Sequence, residues 1–310
     1  MKKIVQELKT RLGKNVRNNP SEGLLFSGGL DSAIVAALSP KIKAINISLK
    51  SYGEDIPFAN STAEFLNLKY FLLKIDIEEA LDAVPKVIKI LKSFDPAIPN
   101  DLAVYFGLKH AKDIGIKEVM TGDGSDELFA GYQFMESMDR LDDYIRKITH
   151  SLQFSSNKIG KFMNIKIAQP FLDEEFIGFC LGISPGLKIK RNQSRVWGKW
   201  ILRKAFEDIL PPGIVWQDKR PLEYGSGMTR LRMIIEKKIS NEEYRETSRS
   251  SQIKFINKEH FYYYRIYRKV CGDIPWPRRD EKPCPGCGAG IPLKGFHCQV
   301  CGYVLDWRST

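Results

Sequence analysis

Leu24-Leu25-Phe26-Ser27-Gly28-Gly29-Leu30-Asp31-Ser32 is the stretch from which the fold of this 310-residue chain can be read. Its apolar start predicts a buried strand that ends at Phe26, and a helical pattern begins at Leu30 and runs to about Leu38. The intervening glycines, Gly28 and Gly29, let the backbone approach a ligand closely. The free N–H groups and the dipole of the following helix favour an anion at this point. The stretch therefore predicts a phosphate-binding strand–loop–helix unit.

The side chains of this loop refine that prediction. Ser27 and Ser32 add hydroxyl donors, and the carboxylate of Asp31 suits a magnesium ion, which in turn binds phosphate. No Gly-Lys-Ser/Thr follows a four-residue spacer, so the loop is not a Walker A motif. A tight strand–helix turn without a ligand is the alternative interpretation.

Composition indicates an ordinary soluble protein with one large or two modest domains. Apolar residues make up 43% and charged residues 27% of the chain. The first 17 residues mix charge with apolar side chains at helical spacing, and no apolar window approaches the length of a membrane span. We therefore predict a cytoplasmic protein that does not interact with a membrane.

The net charge of +11 is concentrated in one segment. Residues 188–279 contain 22 basic and 10 acidic side chains, whereas residues 1–187 contain 23 and 24. A polyanionic partner such as tRNA explains this excess, and so does a pocket for ATP and pyrophosphate combined with solvated helix faces. Charge alone does not decide between them.

Alternating strands and helices predict the architecture of the first half. Predicted strands end at residue 26 and cover 42–49, 70–75 and 118–121, and predicted helices cover 2–17, 30–38, 55–66, 78–91 and 101–114. This alternation is typical of a parallel sheet with helices on both faces and a site at the carboxyl ends of the strands.

A second informative stretch, Thr121-Gly122-Asp123-Gly124-Ser125-Asp126-Glu127-Leu128-Phe129-Ala130-Gly131-Tyr132, follows the last of these strands. We predict another strand-to-helix turn, with a helix from Leu128 and acidic side chains at its tip. Asp126 is then placed to share magnesium with Asp31, and Asp123 to meet the reacting centre. The alternative is a helix-capping turn rich in Asp and Gly.

Ser27 to Ser32 resembles the pyrophosphate loop of the ATP pyrophosphatases, and together with the second stretch it resembles the synthetase domain of asparagine synthetase. That domain reads Ser-Gly-Glu-Gly-Ser-Asp-Glu, then Phe-Gly-Gly-Tyr, at the second stretch. Two later segments fit it in order: Gln169 to Asp173, against Val-Pro-Phe-Leu-Asp, and 199–219, against the segment that carries its catalytic lysine. The resemblance covers about residues 20–235.

The resemblance implies a Rossmann-like fold of the adenine nucleotide alpha hydrolase type with a helical second half. It also implies an ATP-dependent, AMP- and pyrophosphate-forming amide ligase, in which a substrate carboxylate becomes an acyl-adenylate that an amine or ammonia attacks. By position, Lys219 neutralises charge on the transferring phosphate, and Asp31 and Asp126 hold Mg²⁺. The implied nucleotide-binding residues are Leu25, Ser27, Gly28, Gly29, Asp31, Ser32, Ile47 and Gly122.

Departures from the family pattern leave the acyl substrate open. Asp123 stands where the family has Glu, Lys166 replaces an acid and Ala168 replaces an Arg. The Gly-Ser-Gly at 225–227 is more similar to the β-lactam synthetase branch. Only about 20 residues precede the loop, so we expect a separate glutaminase or another ammonia donor instead of a fused glutaminase domain.

Four cysteines near the end, Cys284, Cys287, Cys298 and Cys301, form two Cys-x-x-Cys pairs. This spacing predicts a structural zinc ribbon with a complete set of thiolate ligands, and the alternatives are a redox pair or disulfides. His297 is interpreted as a bystander. Cys180 and Cys271 are interpreted as packing residues.

The predicted organisation is a leading helix (1–19), an asparagine synthetase-like domain (20–272, with its α/β core to about 150 and a helical half after it), a linker (273–283) and the ribbon (284–310). Within it, the aromatic and basic stretch 261–269 is read as a helix with a buried aromatic face, or as a surface for single-stranded RNA. The competing function is that of an enzyme with the same pyrophosphate loop (a PP-loop enzyme) that adenylates a base in tRNA. In this hypothesis the basic segment 188–279 and the ribbon bind RNA. A non-catalytic adaptor is the third hypothesis, against which Asp31, Asp126 and Lys219 argue.

Overall fold

The computed structural model describes residues 1–192 and 195–309. Its strands are β1 (Gly23–Leu25), β2 (Lys43–Leu49), β3 (Lys69–Ile75), β4 (Glu118–Met120), β5 (Lys166–Ala168), β6 (Lys190–Asn192), β7 (Arg195–Trp197), β8 (Glu281–Pro283) and β9 (Gly290–Pro292). Its helices are α1 (Lys2–Asn18), α2 (Leu30–Leu38), α3 (Ile56–Phe65), α4 (Ile77–Leu91), α5 (Ile98–Asp113), α6 (Ser125–Phe129), α7 (Leu141–Thr149), α8 (Ser155–Met163), α9 (Glu174–Leu181), α10 (Pro185–Lys188), α11 (Trp200–Phe206), α12 (Pro212–Val215), α13 (Leu222–Gly225), α14 (Arg230–Lys237), α15 (Asn241–Ser250) and α16 (Lys258–Val270).

A parallel five-stranded sheet in the order β3-β2-β1-β4-β5 organises the first half, which confirms the predicted fold class. The predicted strands and helices of the first 121 residues all occur, with ends shifted by a few residues. Because β1 is central and its two neighbours come from different parts of the chain, a crevice opens at the carboxyl ends of β1 and β4.

Apolar layers cover both faces of the sheet because strand side chains alternate. Ile45 and Ile47 of β2 pack into a core with α4, α5, α14 and α16, while Ala44 packs into a second core with α1, α2, α9 and α11. Among the described residues, no helix is both long and apolar enough to cross a bilayer.

One local expectation is wrong, and one strand of the sheet was not predicted. The helix of the second stretch starts at Ser125, not Leu128, and ends at Phe129, because Gly124 (φ 90°) and Ala130 (φ 55°) adopt left-handed backbone conformations at its two ends. The short strand β5 was not predicted, since its three residues, Lys-Ile-Ala, form too brief a pattern.

The aromatic stretch 261–269 lies in α16, and its aromatic side chains are mostly core residues. Phe261, Tyr263 and Tyr267 are at most 3% exposed, whereas Arg265 and Arg268 point to solvent. The interpretation as a helix with a buried aromatic face is confirmed.

Candidate active site

The loop after β1 is held in place by backbone geometry that only glycine tolerates. Gly28 has φ 76°, and a Cβ there would lie 2.5 Å from the backbone nitrogen of Ala59 in α3. From the opposite side, the Gln217 side-chain amide donates to the Gly28 carbonyl at 3.1 Å. The loop is therefore fixed between α3 and the segment after α12.

Serine hydroxyls shape the inside of the loop at the start of α2. The Gly29 N–H donates to Ser27 Oγ at 3.2 Å, and Ser32 Oγ donates to the Gly29 carbonyl at 3.1 Å. The two hydroxyl oxygens are 3.4 Å apart. Hydroxyls and the N-terminus of α2, a nine-residue helix, thus converge on one point, an arrangement that suits phosphate oxygens.

Asp31 and Asp126 are brought together by a lysine. Lys199 Nζ lies 2.6 Å from Asp31 Oδ2 and 2.7 Å from Asp126 Oδ1. Lys219 contacts the other oxygen of Asp126, and Ser125 Oγ donates to Asp31 Oδ1 at 2.6 Å. Burial alone would raise the pKa of Asp126, but the two ammonium groups outweigh it and hold that pKa well below its ordinary value.

Lys199 was not predicted as a site residue, although it is 3% exposed and central to the cluster. It precedes α11 with φ 56°, a left-handed conformation that is uncommon for a side chain of this size. The nearby Gly131 leaves room for it, because a Cβ on Gly131 would overlap Lys199 Cε. The only sequence signal for it was its place at the start of the segment 199–219.

Asp123 occupies the tip of the turn after β4, and one of its oxygens is fully engaged. Oδ2 accepts from Thr121 Oγ1 at 2.8 Å, Ser156 Oγ at 2.7 Å and Gln169 Nε2 at 2.9 Å. This carboxylate is therefore rigidly oriented by neutral donors. Gln169, where the family motif has Val, contributes one of those donors.

Glu127 is a second buried acid near the same tip. It is 7% exposed and accepts from the Tyr132 hydroxyl at 2.6 Å. Burial raises its pKa to about 7, and the neighbouring Asp126 charge adds to that shift. Neither Glu127 nor Tyr132 was predicted as a site residue.

One cavity of about 620 Å³ joins these groups. It also includes the nonpolar side chains of Leu25 and Ile47, which meet the backbone of α5 at Gly107, where a Cβ would lie 2.6 Å from Leu25 Cδ2. Gly122 approaches Asp31 so closely that a Cβ there would lie 2.9 Å from Asp31 Cβ. The predicted nucleotide, magnesium and catalytic residues that line the cavity are Leu25, Ser27, Gly29, Asp31, Ser32, Ile47, Gly122, Asp123, Asp126 and Lys219; Gly28 lies in the loop beside them.

The two substituted positions of β5 lie outside the cavity lining. Lys166 is exposed and forms an ion pair with Glu118 at 2.8 Å, and Ala168 is buried in the core. Neither offers the cavity a charged group.

The four cysteines of the C-terminal pairs form one cluster. Their sulfur atoms lie within 4.8 Å of one another, and β8 and β9 form the hairpin beside them. Four thiolates at this spacing fit a tetrahedral metal such as zinc. His297 lies outside the set and pairs with Asp95 at 3.4 Å.

The cysteine cluster is packed into the body of the protein. Cys284, Cys298 and Cys301 belong to the same apolar core as α4, α5 and α16. The Phe94 N–H donates to the Val300 carbonyl at 2.7 Å. Strand β8 begins at Glu281, inside the segment predicted as a linker.

The matching family model and the curated relatives agree on one family. The sequence model of the asparagine synthase family matches residues 4–167 and 151–263. The chain is 28% identical over 286 residues to a protein named probable asparagine synthetase (glutamine-hydrolyzing) from Dictyostelium discoideum, a match that covers 80% of this chain and 51% of that protein. It is 26% identical over 291 residues to an asparagine synthetase (glutamine-hydrolyzing) from Zea mays, covering 82% and 49%. The chain thus spans about half the length of these curated relatives.

Among solved structures, the U34-tRNA thiolase NcsA from Methanococcus maripaludis, determined with its 4Fe-4S cluster, is 13% identical. The match covers 92% of this chain and 84% of the thiolase, with a TM-score of 0.32. Similarity at this level carries no argument about function.

Proposed function

This chain belongs to the asparagine synthase family, and from that premise we propose that it is an ATP-dependent ligase that activates a carboxylate as an acyl-adenylate and transfers the acyl group to an amine or ammonia. The observation that carries the proposal is the single cavity in which the loop after β1, the Asp31–Lys199–Asp126 cluster and Lys219 converge. That cavity combines a phosphate cradle with two fixed cations.

The proposed nucleotide site has one part for adenosine and another for pyrophosphate. Leu25, Ile47 and the backbone at Gly122 form the adenosine wall, while Ser27, Gly28, Gly29 and Ser32 hold the pyrophosphate. The ammonium groups of Lys199 and Lys219 stand beside this loop, where they stabilise negative charge on the phosphates. Positioned cations of this kind supply much of the catalysis in phosphoryl and nucleotidyl transfer.

The reaction has two steps. A carboxylate oxygen of the substrate attacks the α-phosphorus of ATP, and pyrophosphate leaves with the electrons of the broken P–O bond. The nitrogen of the amine or ammonia then attacks the acyl carbon, AMP leaves, and the nitrogen gives up a proton. Asp123, held by its three donors, is proposed to orient the reacting groups.

Asp31 and Asp126 are the proposed holders of magnesium, because their carboxylate oxygens are the ligands this ion prefers. When bound, magnesium neutralises charge on the leaving pyrophosphate. The four carboxylate oxygens of the pair already contact Lys199, Lys219 or Ser125, so magnesium would either share these oxygens with the donors or displace them.

The proposal also covers the metal of the cysteine cluster, the source of the nitrogen and the location of the protein in the cell. We propose that the four cysteines hold a structural zinc ion, that the nitrogen comes from ammonia or from a separate glutaminase, and that the protein acts in the cytoplasm. We also propose the domain limits given by the sequence, with the ribbon hairpin beginning at Glu281.

Exchange of labelled pyrophosphate into ATP, measured with magnesium and a panel of carboxylic acids, tests the proposal. Lys219→Met should reduce exchange by about 10³-fold, because it removes one cation from the transition state. Lys237→Met is the matched control, since Lys237 is exposed at the end of α14 and outside the cavity. Exchange that requires bulk tRNA would favour the base-modifying function instead, and absence of exchange with every acid and with tRNA would refute adenylation.

A further inference from the structure

Trp276 is 89% exposed, more than any other large apolar side chain that the structure describes. It lies in the segment between α16 and β8, with Pro275 and Pro277 on either side. Ile274 packs against the core of α4, α5 and α16, so the segment is anchored to the body of the protein. Because the two prolines restrict the backbone around the indole, a ligand that stacks on it loses little conformational freedom.

This segment starts where the C-terminal ends of α4 and α16 meet. Cys271, which follows α16, donates through Sγ to the carbonyl of Ile88 in the last turn of α4, at 3.7 Å. Burial raises the pKa of Cys271, and the ammonium groups of Lys92 and Lys89 oppose that shift. Both lysines therefore lie beside the end of α16.

Five exposed basic side chains around this junction have no ion-pair partner among the described residues: Lys89, Lys92, Lys269, Arg278 and Arg279. The acidic side chains of the segment after α16 are Asp273, which pairs with Arg268 at 2.5 Å, and Asp280. The positive charge at this junction is therefore largely uncompensated. We call the surface formed by Trp276 and these five basic side chains the Trp276 surface.

The chemistry of this surface calls for a ligand that carries both negative charge and flat rings. Uncompensated cations attract a polyanion, and an exposed indole gains most from stacking on another ring. Single-stranded nucleic acid offers phosphates and free base faces at once. A duplex hides its base faces within the stack, and an acidic polypeptide offers charge without rings to stack.

An anionic membrane would also attract the five cations, but the apolar part of the surface is too small for that partner. Binding to a membrane interface needs a broad apolar face. Trp276 is a single exposed apolar side chain here, because the neighbouring Ile274 is packed against the core. Single-stranded nucleic acid is therefore the partner that the surface fits best.

We propose that the Trp276 surface binds single-stranded nucleic acid, with the indole stacked on a base and the basic side chains in contact with the phosphates. This inference goes beyond the proposed adenylating activity, because none of the residues of the surface lines the cavity. It assigns part of the basic excess of residues 188–279, namely Lys269, Arg278 and Arg279, to a partner.

Fluorescence anisotropy tests this inference on the full chain without ATP. The probe is a labelled oligouridylate of about 12 nucleotides, a length within the range of single-strand sites. We expect its affinity to exceed that of its duplex with oligoadenylate and that of poly-glutamate by at least about tenfold, and we expect binding to quench the fluorescence of Trp276. Oligodeoxyuridylate of the same length distinguishes RNA from DNA, since only RNA has 2′-hydroxyl groups.

Variants of the indole test the stacking contact. Trp276→Ala should weaken binding of the single strand by about tenfold, whereas Trp276→Phe, which keeps a ring, should retain most of the affinity. Phe65→Ala is the control, because Phe65 is 56% exposed on α3 and lies outside the surface. Both alanine variants remove an exposed ring, so Tm should stay the same.

The salt dependence of binding tests the phosphate contacts. With five cations, the logarithm of Kd should rise with the logarithm of the salt concentration with a slope of up to about 3.5, at about 0.7 for each phosphate. Lys89→Met combined with Lys92→Met should lower this slope by about 1.4. Lys237→Met combined with Lys238→Met is the matched control, because these lysines end α14 beside the opposite end of α16, where Lys258 donates to the backbone that follows them.

Several outcomes would overturn the inference. Equal affinity for poly-glutamate and oligouridylate would indicate an acidic protein partner, and binding confined to phosphatidylserine vesicles would indicate a membrane. Unchanged binding in Trp276→Ala, or no binding to any probe, would also overturn it. None of these outcomes bears on pyrophosphate exchange, so adenylation and nucleic-acid binding can fail separately.

Discussion

The ammonium group of Lys199 donates to both carboxylate oxygens of Asp31, at 2.8 and 2.6 Å, although the two residues are 168 positions apart in the chain. The same group lies 2.7 Å from Asp126. One buried cation therefore connects the helix after β1, the turn after β4 and the start of α11. Removing it would abolish the ionic contacts that join these three elements.

Lys199→Met should destabilise the protein by about 3 to 5 kcal/mol, because it leaves the largely buried Asp31 without a cation and removes one of the two cations at Asp126. Urea unfolding measures this change in the free energy of unfolding. Lys204→Met is the matched control, since Lys204 pairs with Glu207 near the surface and should cost at most about 1 kcal/mol. If Asp31 and Asp126 bind magnesium, added magnesium should restore part of the stability lost in Lys199→Met. Equal stability of the two variants would contradict a central role for Lys199.

Gly28→Ala should destabilise the protein and weaken ATP binding. Alanine disfavours φ 76°, and its Cβ would overlap the Ala59 backbone, so the loop must move away from α3. We expect a loss of about 1 to 3 kcal/mol, measured by thermal unfolding and by ATP titration. Gly178→Ala in α9, where a Cβ meets nothing within 4 Å, should instead be neutral or stabilising by up to about 1 kcal/mol. Similar ATP affinity in both variants would show that the loop does not need its present shape.

The loop after β1 was predictable because local sequence determines it. A short apolar strand, two glycines and a helical pattern leave few alternatives, and the sheet followed from the same alternation over the first 121 residues. The turn at Asp123 and Asp126 was located correctly, but its helix start was not. That start depends on left-handed backbone at Gly124 and Ala130, which no periodicity reveals.

Lys199, Arg203 and Gln217 could not be assigned to the cavity from local sequence, because their contacts span long stretches of chain. Gln217 reaches Gly28 across 189 positions, and Arg203 donates to carbonyls at the end of α12 and just after it. The packing of the ribbon could not be derived for the same reason. Its cysteine spacing predicts a zinc ribbon but not its position, and in the structure its residues join the core of α4, α5 and α16.

Cys301→Ser should therefore lower the stability of the whole protein and not only unfold the ribbon. Loss of one thiolate weakens metal binding, and metal binding supplies folding free energy. We expect the loss of about one bound zinc per chain by elemental analysis and a clear fall in Tm by circular dichroism. Cys271→Ser, outside the cluster, should keep the metal. A metal-free Cys301→Ser variant with unchanged Tm would show that the cluster is dispensable for the core.

His260 should make stability depend on pH. Its ring is 1% exposed and stacks on Phe94 at 5.2 Å, and burial lowers the pKa of His260 to about 4. The unfolded chain, with an ordinary histidine pKa near 6.5, therefore binds more protons than the folded chain between about pH 4 and pH 6.5. The stabilising contribution of neutral His260 is complete above that range and is lost as the pH falls through it.

Replacing His260 with Gln removes this titration, so the stability difference between wild type and variant should shrink as the pH falls from 7.5 to 5. The limiting slope is about 1.4 kcal/mol per pH unit for one proton. Urea unfolding at several pH values measures the difference and cancels the contributions of other groups, such as Asp101 and Glu127, whose pKa values burial raises to about 7. His150→Gln, at an exposed position, is the control for the loss of a histidine from the surface. A constant difference for His260→Gln would mean that the folded protein accommodates the protonated ring, which the burial of His260 between the face of Phe94 and the edge of Phe255 argues against.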